Sequence, residues 1–221
     1  MGKRGPKPKP EPKWSSGLAY AIGLLATDGC LSKDGRHIIF VSKDLQQLEN
    51  LKKALGLKNI AIGQTLSGYD GKPCTRVQFG DVTLYRFLLT VGLTPNKSKT
   101  INALRIPRNY FFDFLRGHLD GDGCTYSYWD PRWKSSFMFY TVFGSASKEH
   151  VLWLQKEIRD LAGLSGHITG KGKKHTIYQL KYAKAGSLIL LRRMYYNNRV
   201  IHLSRKRLKI EKMLSIVGER L

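Results

Sequence analysis

The chain has 221 residues, enough for one domain or two small ones, and 42% of them are hydrophobic, enough for a proper core. Its 38 Lys and Arg against 16 Asp and Glu leave a net charge of +22, more than solubility requires, so the expected partner is a polyanion. No apolar run approaches the roughly 18 residues of a membrane span, the basic N-terminus lacks the apolar segment of a secretion signal, and Cys30, Cys74 and Cys124 form no C-x-x-C pair, which argues against a disulfide framework or a structural zinc site.

Reduced thiols, small and hydrophobic, are therefore expected, in the cytoplasm with the nucleoid or in an organellar matrix, and not in a secreted protein. Residues 1–13, MGKRGPKPKPEPK, alternate Pro with Lys or Glu and have nothing to bury, so they read as an extended, disordered basic arm.

A first unit follows over 14–107. A helix capped by Ser15 or Ser16 carries Leu18, Ile22 and Leu25 to Asp28, with Gly17 and Gly23 near one face for close helix contact. Cys30 to Lys33 and His37 to Val41 form a hairpin about Lys33-Asp34-Gly35-Arg36. Ser42 is the expected cap of a helix with Leu45, Leu48, Leu51 and Leu55 that stops at Gly56. Strands Ile60 to Leu66 and Thr75 to Phe79 pair across the turn-rich 67–73, and Asp81 to Val91 closes the unit as a helix.

Residues 108–221 repeat that order. A helix from Asn109 leads to Asp122, strands cover Cys124 to Trp129 and Ser136 to Phe143, and Ser147 caps a helix that Gly163 ends. Strands Gly166 to Thr169 and His175 to Tyr182 and a helix from Ala185 to Tyr195 complete it. The second copy has about 11 more residues between its aspartate and the following helix, around Trp129-Asp130-Pro131-Arg132-Trp133-Lys134, which would sit at a strand tip.

Within the repeats, Ala21-Ile22-Gly23-Leu24-Leu25-Ala26-Thr27-Asp28-Gly29-Cys30 matches Leu115-Arg116-Gly117-His118-Leu119-Asp120-Gly121-Asp122-Gly123-Cys124 in register. Each is an apolar helical run with a central glycine that delivers a carboxylate at its end. Two carboxylates at adjacent helix ends repel each other unless cations lie between them, and hard divalent ions prefer carboxylate, water and phosphate oxygens.

The two motifs and the element order resemble the LAGLIDADG homing endonucleases in their single-chain, two-repeat form, over about 16–214. The resemblance implies an α+β fold of two pseudo-twofold-related α-β-β-α-β-β-α repeats with antiparallel saddle-shaped sheets. It implies Asp28 and Asp122 as catalytic metal ligands, with Gly29 and Gly123 beside them, and Mg²⁺ (or Mn²⁺) as the cofactor. Ala26 departs from the family, which usually has an acid there, as Asp120 does in the second copy. By position in the family, Lys43 and Lys148 after the second strand of each repeat, and Lys97 and Lys206 near each repeat's end, organise water around the metals. A solvated lysine is the competing reading for the first pair, and Arg205 competes with Lys206.

The free sheet faces are the expected DNA surface. Alternation turns Arg76 and Gln78 outward, and Ile177, Gln179 and Lys181 share one face of the equivalent strand. Arg and Gln suit bidentate contacts to guanine and adenine. Arg36, Thr125, Ser127, Tyr128, Arg132 and Lys134 extend this surface, while Lys173 and Lys174 in the turn 171–174 and the arm Lys3-Arg4-Gly5-Pro6-Lys7 read as phosphate contacts.

The expected activity is metal-dependent, site-specific double-strand cleavage of DNA in intron homing by a monomer. The alternatives are an intron RNA maturase on the same scaffold, a catalytically decayed DNA-binding protein, and a transcription regulator, which would need a helix-turn-helix domain for which this chain leaves no room.

Overall fold

A computed structural model describes residues 11–67, 71–172 and 176–221. The arm residues Lys3 to Lys7, the turn residues Gly68 to Asp70, and Lys173, Lys174 and His175 lie outside the described residues. The elements run α1 (Ser16–Asp28), β1 (Gly29–Leu31), β2 (His37–Ser42), α2 (Leu45–Leu55), β3 (Gly63–Leu66), β4 (Pro73–Gly80) and α3 (Val82–Val91). The second series is α4 (Phe111–Asp120), β5 (Cys124–Trp129), β6 (Phe137–Ser145), α5 (Lys148–Ala162), β7 (His167–Lys171), β8 (Ile177–Tyr182) and α6 (Lys184–Met194). A last helix, α7 (Ser204–Ile216), has no counterpart in the expected order.

The strands form two four-stranded antiparallel sheets of matching order, β1-β2-β4-β3 and β5-β6-β8-β7. Register makes the correspondence quantitative: Cys30 pairs with Ile39 and Phe40 with Val77, as Cys124 pairs with Val142 and Phe143 with Leu180. Leu31, Ile38, Phe40, Val77 and Phe79 of one sheet, and Phe139, Phe143 and Leu180 of the other, point into a single buried cluster that α1 and α4 share.

Helix ends follow local chemistry. The Ser15 side chain accepts from Leu18 N and that of Ser147 from His150 N. In α2, however, the cap is Asp44, which accepts from Gln46 N, while Ser42 Oγ accepts from Asp44 N. A carboxylate two residues on outcompetes the serine because it also complements the positive end of the helix dipole. Gly56 and Gly163 end α2 and α5 in the left-handed conformation, φ 67° and 69°.

Residues Leu18 through Ala26 of α1 are all buried. A helix covered on every side loses the polar stripe of a surface helix, and α1 is covered by α4, α2 and its own sheet. Gly23 and Gly117 make the α1/α4 crossing: a Cβ on Gly23 would stand 2.2 Å from the Phe114 carbonyl oxygen, and one on Gly117 2.1 Å from that of Tyr20. Gly17, expected on the same face, instead lies against α2, where a Cβ would meet the Ala54 oxygen at 3.2 Å. Cys30, Cys74 and Cys124 are all free thiols, the first and last exposed at equivalent positions and Cys74 buried. Among the described residues, no helix is long and apolar enough to cross a membrane.

Candidate active site and nucleic-acid face

Because α1 and α4 cross at glycine, their C-terminal ends lie side by side and carry Asp28 and Asp122 to one place. A Cβ on Gly121 would come 1.9 Å from Thr27 Oγ1 and 3.0 Å from Asp28 Oδ2, so the residue before Asp122 touches the Asp28 carboxylate. Burial, then the charge of Asp122, push the Asp28 carboxyl up to about 6. Burial also raises Asp122, against the pull of Lys97 and Lys206. A cavity of about 220 Å³ opens beside Asp122, lined among others by Thr27, Cys124, Ser145 and Gln179.

Lys97 and Lys206 occupy equivalent places under this pair. The Lys97 ammonium donates to the carbonyl of Gly29 at 2.5 Å, and Lys206 donates to the carbonyls of Leu119, Asp120, Gly121 and Gly123 at 2.6–2.9 Å. Each lysine thereby covers backbone acceptors left open where a motif helix ends. The carbonyls of Gly29 and Gly123 thus accept from ammonium groups. Burial pushes both lysines down, and Asp28 and Asp122 oppose that shift. Arg205, the competitor of Lys206, pairs with Asp44 at 2.6 Å instead. Asn96, at φ 56°, makes the left-handed turn that sends the Lys97 side chain inward.

Lys43 and Lys148 are both exposed, at the openings of α2 and α5. The group that α2 places on the aspartate is Gln47: its Nε2 donates to Asp28 Oδ2 and to the Asp120 carbonyl, both at 3.2 Å, while Ser42 Oγ donates to its Oε1 at 2.6 Å. Gln47 stands three residues after its helix cap, as His150 does in α5, and each is buried. The signal in the sequence was a polar residue on the apolar face of α2, beside Leu48 and Leu51.

His150 makes no such contact. Its Nδ1 pairs with the Asn102 carbonyl at 2.9 Å, and its ring stacks on His118 with centroids 5.3 Å apart. Burial pushes His150 down to about 4 and His118 well below the usual histidine range. His118 is therefore a core ring at the position Leu24 fills in the first repeat.

The free faces follow from the register. In the first sheet Val41 pairs with Arg76 and Ile39 with Gln78, on the side away from Phe40 and Val77. In the second, Val142 pairs with Lys181 and Gly144 with Gln179. Arg76, Gln78, Gln179 and Lys181 therefore all lie on the outer faces. Arg36 is exposed, and its guanidinium lies over Gly80 at the edge of the first sheet.

Other expectations for the second hairpin change. Thr125 is buried and shares the inner side of β5 with half-buried Ser127 and exposed Trp129, and the outward residues are Tyr126 and Tyr128, facing Tyr140 of β6. Arg132 is exposed, but both arms of its guanidinium rest on Asp130 at 3.1 and 3.2 Å, which neutralises it. Lys134 is exposed in the same turn.

No family model and no curated protein sequence matches the chain. Solved structures do. Full-length DUF199/WhiA from Thermatoga maritima aligns at a TM-score of 0.59 and 15% identity, over 95% of this chain and 63% of its own, so the chain spans less than two thirds of that protein. The LAGLIDADG meganuclease I-AabMI bound to uncleaved DNA aligns at 0.58 and 14%, over 90% and 89%. The homing endonuclease I-DmoI, as a variant in complex with its target DNA in the presence of magnesium, aligns at 0.51 and 15%, over 82% and 97%. The chain has the fold of the LAGLIDADG homing endonucleases and of the WhiA LAGLIDADG domain.

Proposed function

We propose that this protein is a site-specific DNA endonuclease that acts as a monomer, residues 14–107 and 108–221 each engaging half of a duplex target. The observation that carries this reading is the meeting of two carboxylates with raised pKa values, Asp28 and Asp122, at the ends of the glycine-crossed helices, between two sheets whose outer faces are open. A carboxylate pair pushed toward neutrality at that position has little structural use, since both groups are costly to ionise without a cation.

The donor set fits Mg²⁺. Among the described residues no cluster of three or more His, Cys, Asp or Glu side chains converges, so the protein supplies two carboxylates and leaves the remaining positions to water and phosphate oxygens, as Mg²⁺ requires. Asp28 and Asp122 would hold the ion, which when bound polarises the scissile phosphate and makes hydroxide accessible near neutral pH.

The remaining residues have assignable roles. Lys97 and Lys206 fix the backbone at the helix ends and place positive charge where phosphate collects. Gln47 orients Asp28 through its amide. Arg76, Gln78, Gln179 and Lys181 face the groove, and the net charge of +22 supplies attraction independent of sequence.

A second reading is a DNA-binding protein on this scaffold that does not cut, since the chain aligns with DUF199/WhiA as well as with the endonucleases and the likeness shows the fold alone. Incubation of a randomised duplex library with Mg²⁺ or Ca²⁺, alongside Asp28→Asn and Asp122→Asn, separates the two. Cleavage at a discrete site that needs Mg²⁺ and both aspartates is the expected result. Tight binding without any cut, unchanged by either substitution, establishes the second reading instead, and intron RNA is then the substrate to test.

A further inference from the structure

The two halves differ most in the hairpin that leaves the centre. β1 has three residues and its chain turns at once, whereas β5 has six before the turn over 130–136. β1 ends three residues after Asp28 and β5 seven residues after Asp122, so the second hairpin reaches four residues further from the equivalent origin. At about 3.3 Å per residue that is about 13 Å, or about four base pairs of B-DNA at about 3.4 Å each.

The added length is aromatic on its outer face. Tyr140 stacks on Tyr126, centroids 5.0 Å apart at 16°, and on Tyr128, 6.1 Å apart at 13°. The hydroxyls of Tyr128 and Tyr140 lie 3.5 Å apart. The equivalent of Tyr140 in the shorter hairpin is His37, whose Nδ1 is tied to Asp34. At the tip Trp133 is 69% exposed. The turn that carries it is held: Asp130 N donates to Ser136 O at 2.9 Å, Trp133 N to Asp130 O at 3.2 Å, and Ser136 N to Trp133 O at 2.7 Å. A rigid turn that leaves an indole in water gains nothing for the fold from that indole, and a preformed aromatic array binds with little ordering cost.

We propose that the longer β5–β6 hairpin lengthens the DNA target on the side of the second sheet by about four base pairs, read through the tyrosine array and Trp133. The occupant is duplex DNA because the array continues the outer face that carries Gln179 and Lys181 and belongs to a chain of net charge +22. At the tip Arg132 is paired with Asp130 and Lys134 is exposed, cations that suit phosphate without reading sequence, so specificity there rests on ring and hydroxyl contacts. This inference rests on the DNA-binding reading above.

The test is selection of bound sites from a randomised duplex library by the full chain, repeated with Tyr126→Ser/Tyr128→Ser/Trp133→Ser and with Trp133→Ala. The wild type is expected to select a site about four pairs longer on one side of its centre. The triple variant is expected to lose preference at those outer pairs alone and to bind roughly tenfold more weakly, with an unchanged salt dependence because no cation is removed. If the triple variant melts early, Trp133→Ala decides, through loss of preference at the outermost pairs. A site of equal arms, a loss spread evenly over the site, or an unchanged profile overturns the inference. A wild type that selects no duplex at all overturns the DNA-binding reading itself, a result these outcomes do not imitate.

Discussion

Tyr20 and Asp120 meet across the central helix pair, the phenol donating to Asp120 Oδ2 at 2.7 Å, and their repeat equivalents, Phe114 and Ala26, lack both groups. The absence of an acid at Ala26 is therefore half of a paired change: without a phenol opposite, a buried carboxylate there would have no partner. Asp120 Oδ2 also accepts from Leu203 N at 2.8 Å, and Asn50 joins the network through Tyr20 and the His202 carbonyl, so these side chains dock the start of α7 on the centre.

Coupling between these two residues is measurable. Tyr20→Phe is expected to lose about 1–2 kcal/mol and Asp120→Ala more, because the latter also strands Leu203 N. In a double-mutant cycle by urea unfolding the pair should show about 1 kcal/mol of interaction or more. Additive losses would mean that the contact contributes nothing of its own.

The helix crossing tolerates no side chain. Gly23→Ala or Gly117→Ala would drive a methyl into backbone carbonyls at 2.2 or 2.1 Å, which backbone cannot avoid by rotation. Each should cost more than about 4 kcal/mol and abolish any cleavage. Gly17→Ala, with 3.2 Å available at Ala54, should lower the melting temperature only slightly. Similar melting curves for all three would place the close approach elsewhere.

Without metal, Asp28 should destabilise the fold at neutral pH. Its folded pKa of about 6 lies above the unfolded value of 3.8, so between those values the folded state keeps a proton that the unfolded state has lost. Stability therefore falls as pH rises through that window, by about 3 kcal/mol for this group, and the cost persists above it. Mg²⁺ binding to the ionised pair should raise the melting temperature at pH 7.5 and hardly at pH 5. Asp28→Asn should raise it at pH 7.5 without metal and remove the Mg²⁺ effect, and equal Mg²⁺ shifts at both pH values would contradict the site.

His150 acts in the opposite direction. Its folded pKa of about 4 lies below the ordinary 6.5, so the unfolded state takes up protons first and stability is lost as pH falls from 6.5 to 4. Lys97, the stacked His118 and Trp153 surround it, and no carboxylate is among its contacts. His150→Gln, which copies Gln47 of the first repeat, should flatten this acid limb by about 3 kcal/mol. Because Asp28 compensates over part of the same range, the comparison is of variant against wild type at each pH. Parallel curves would show that His150 does not titrate in the fold.

Gln47 should matter to catalysis more than to folding. Gln47→Leu removes the amide on Asp28 while keeping the helix face apolar. We expect at least tenfold slower cleavage and an acid limb of the rate profile shifted to higher pH, since that hydrogen bond lowers the Asp28 pKa. An unchanged pH profile would reduce Gln47 to a packing residue.

Local signals fixed most of the element order, because helix caps, glycine stops and hairpin turns act within a few residues. The in-register Gly-x-x-x-x-Asp spacing of Gly23 with Asp28 and Gly117 with Asp122 likewise exposed the carboxylate pair. Three things required the tertiary structure. Strand alternation separates Thr125 and Ser127 from Tyr126 and Tyr128 but does not say which set faces the core, and pairing with β6 under the helices turned the tyrosines outward. Which polar side chain of α2 reaches Asp28 depends on how α2 lies across α1, and that selected Gln47. The choice of Lys206 over Arg205 was made by α7, whose first turn faces the α4 end only because Asp120, Gln46 and Asn50 dock it there. Sequence periodicity assigns residues to faces, while long-range packing decides what each face meets.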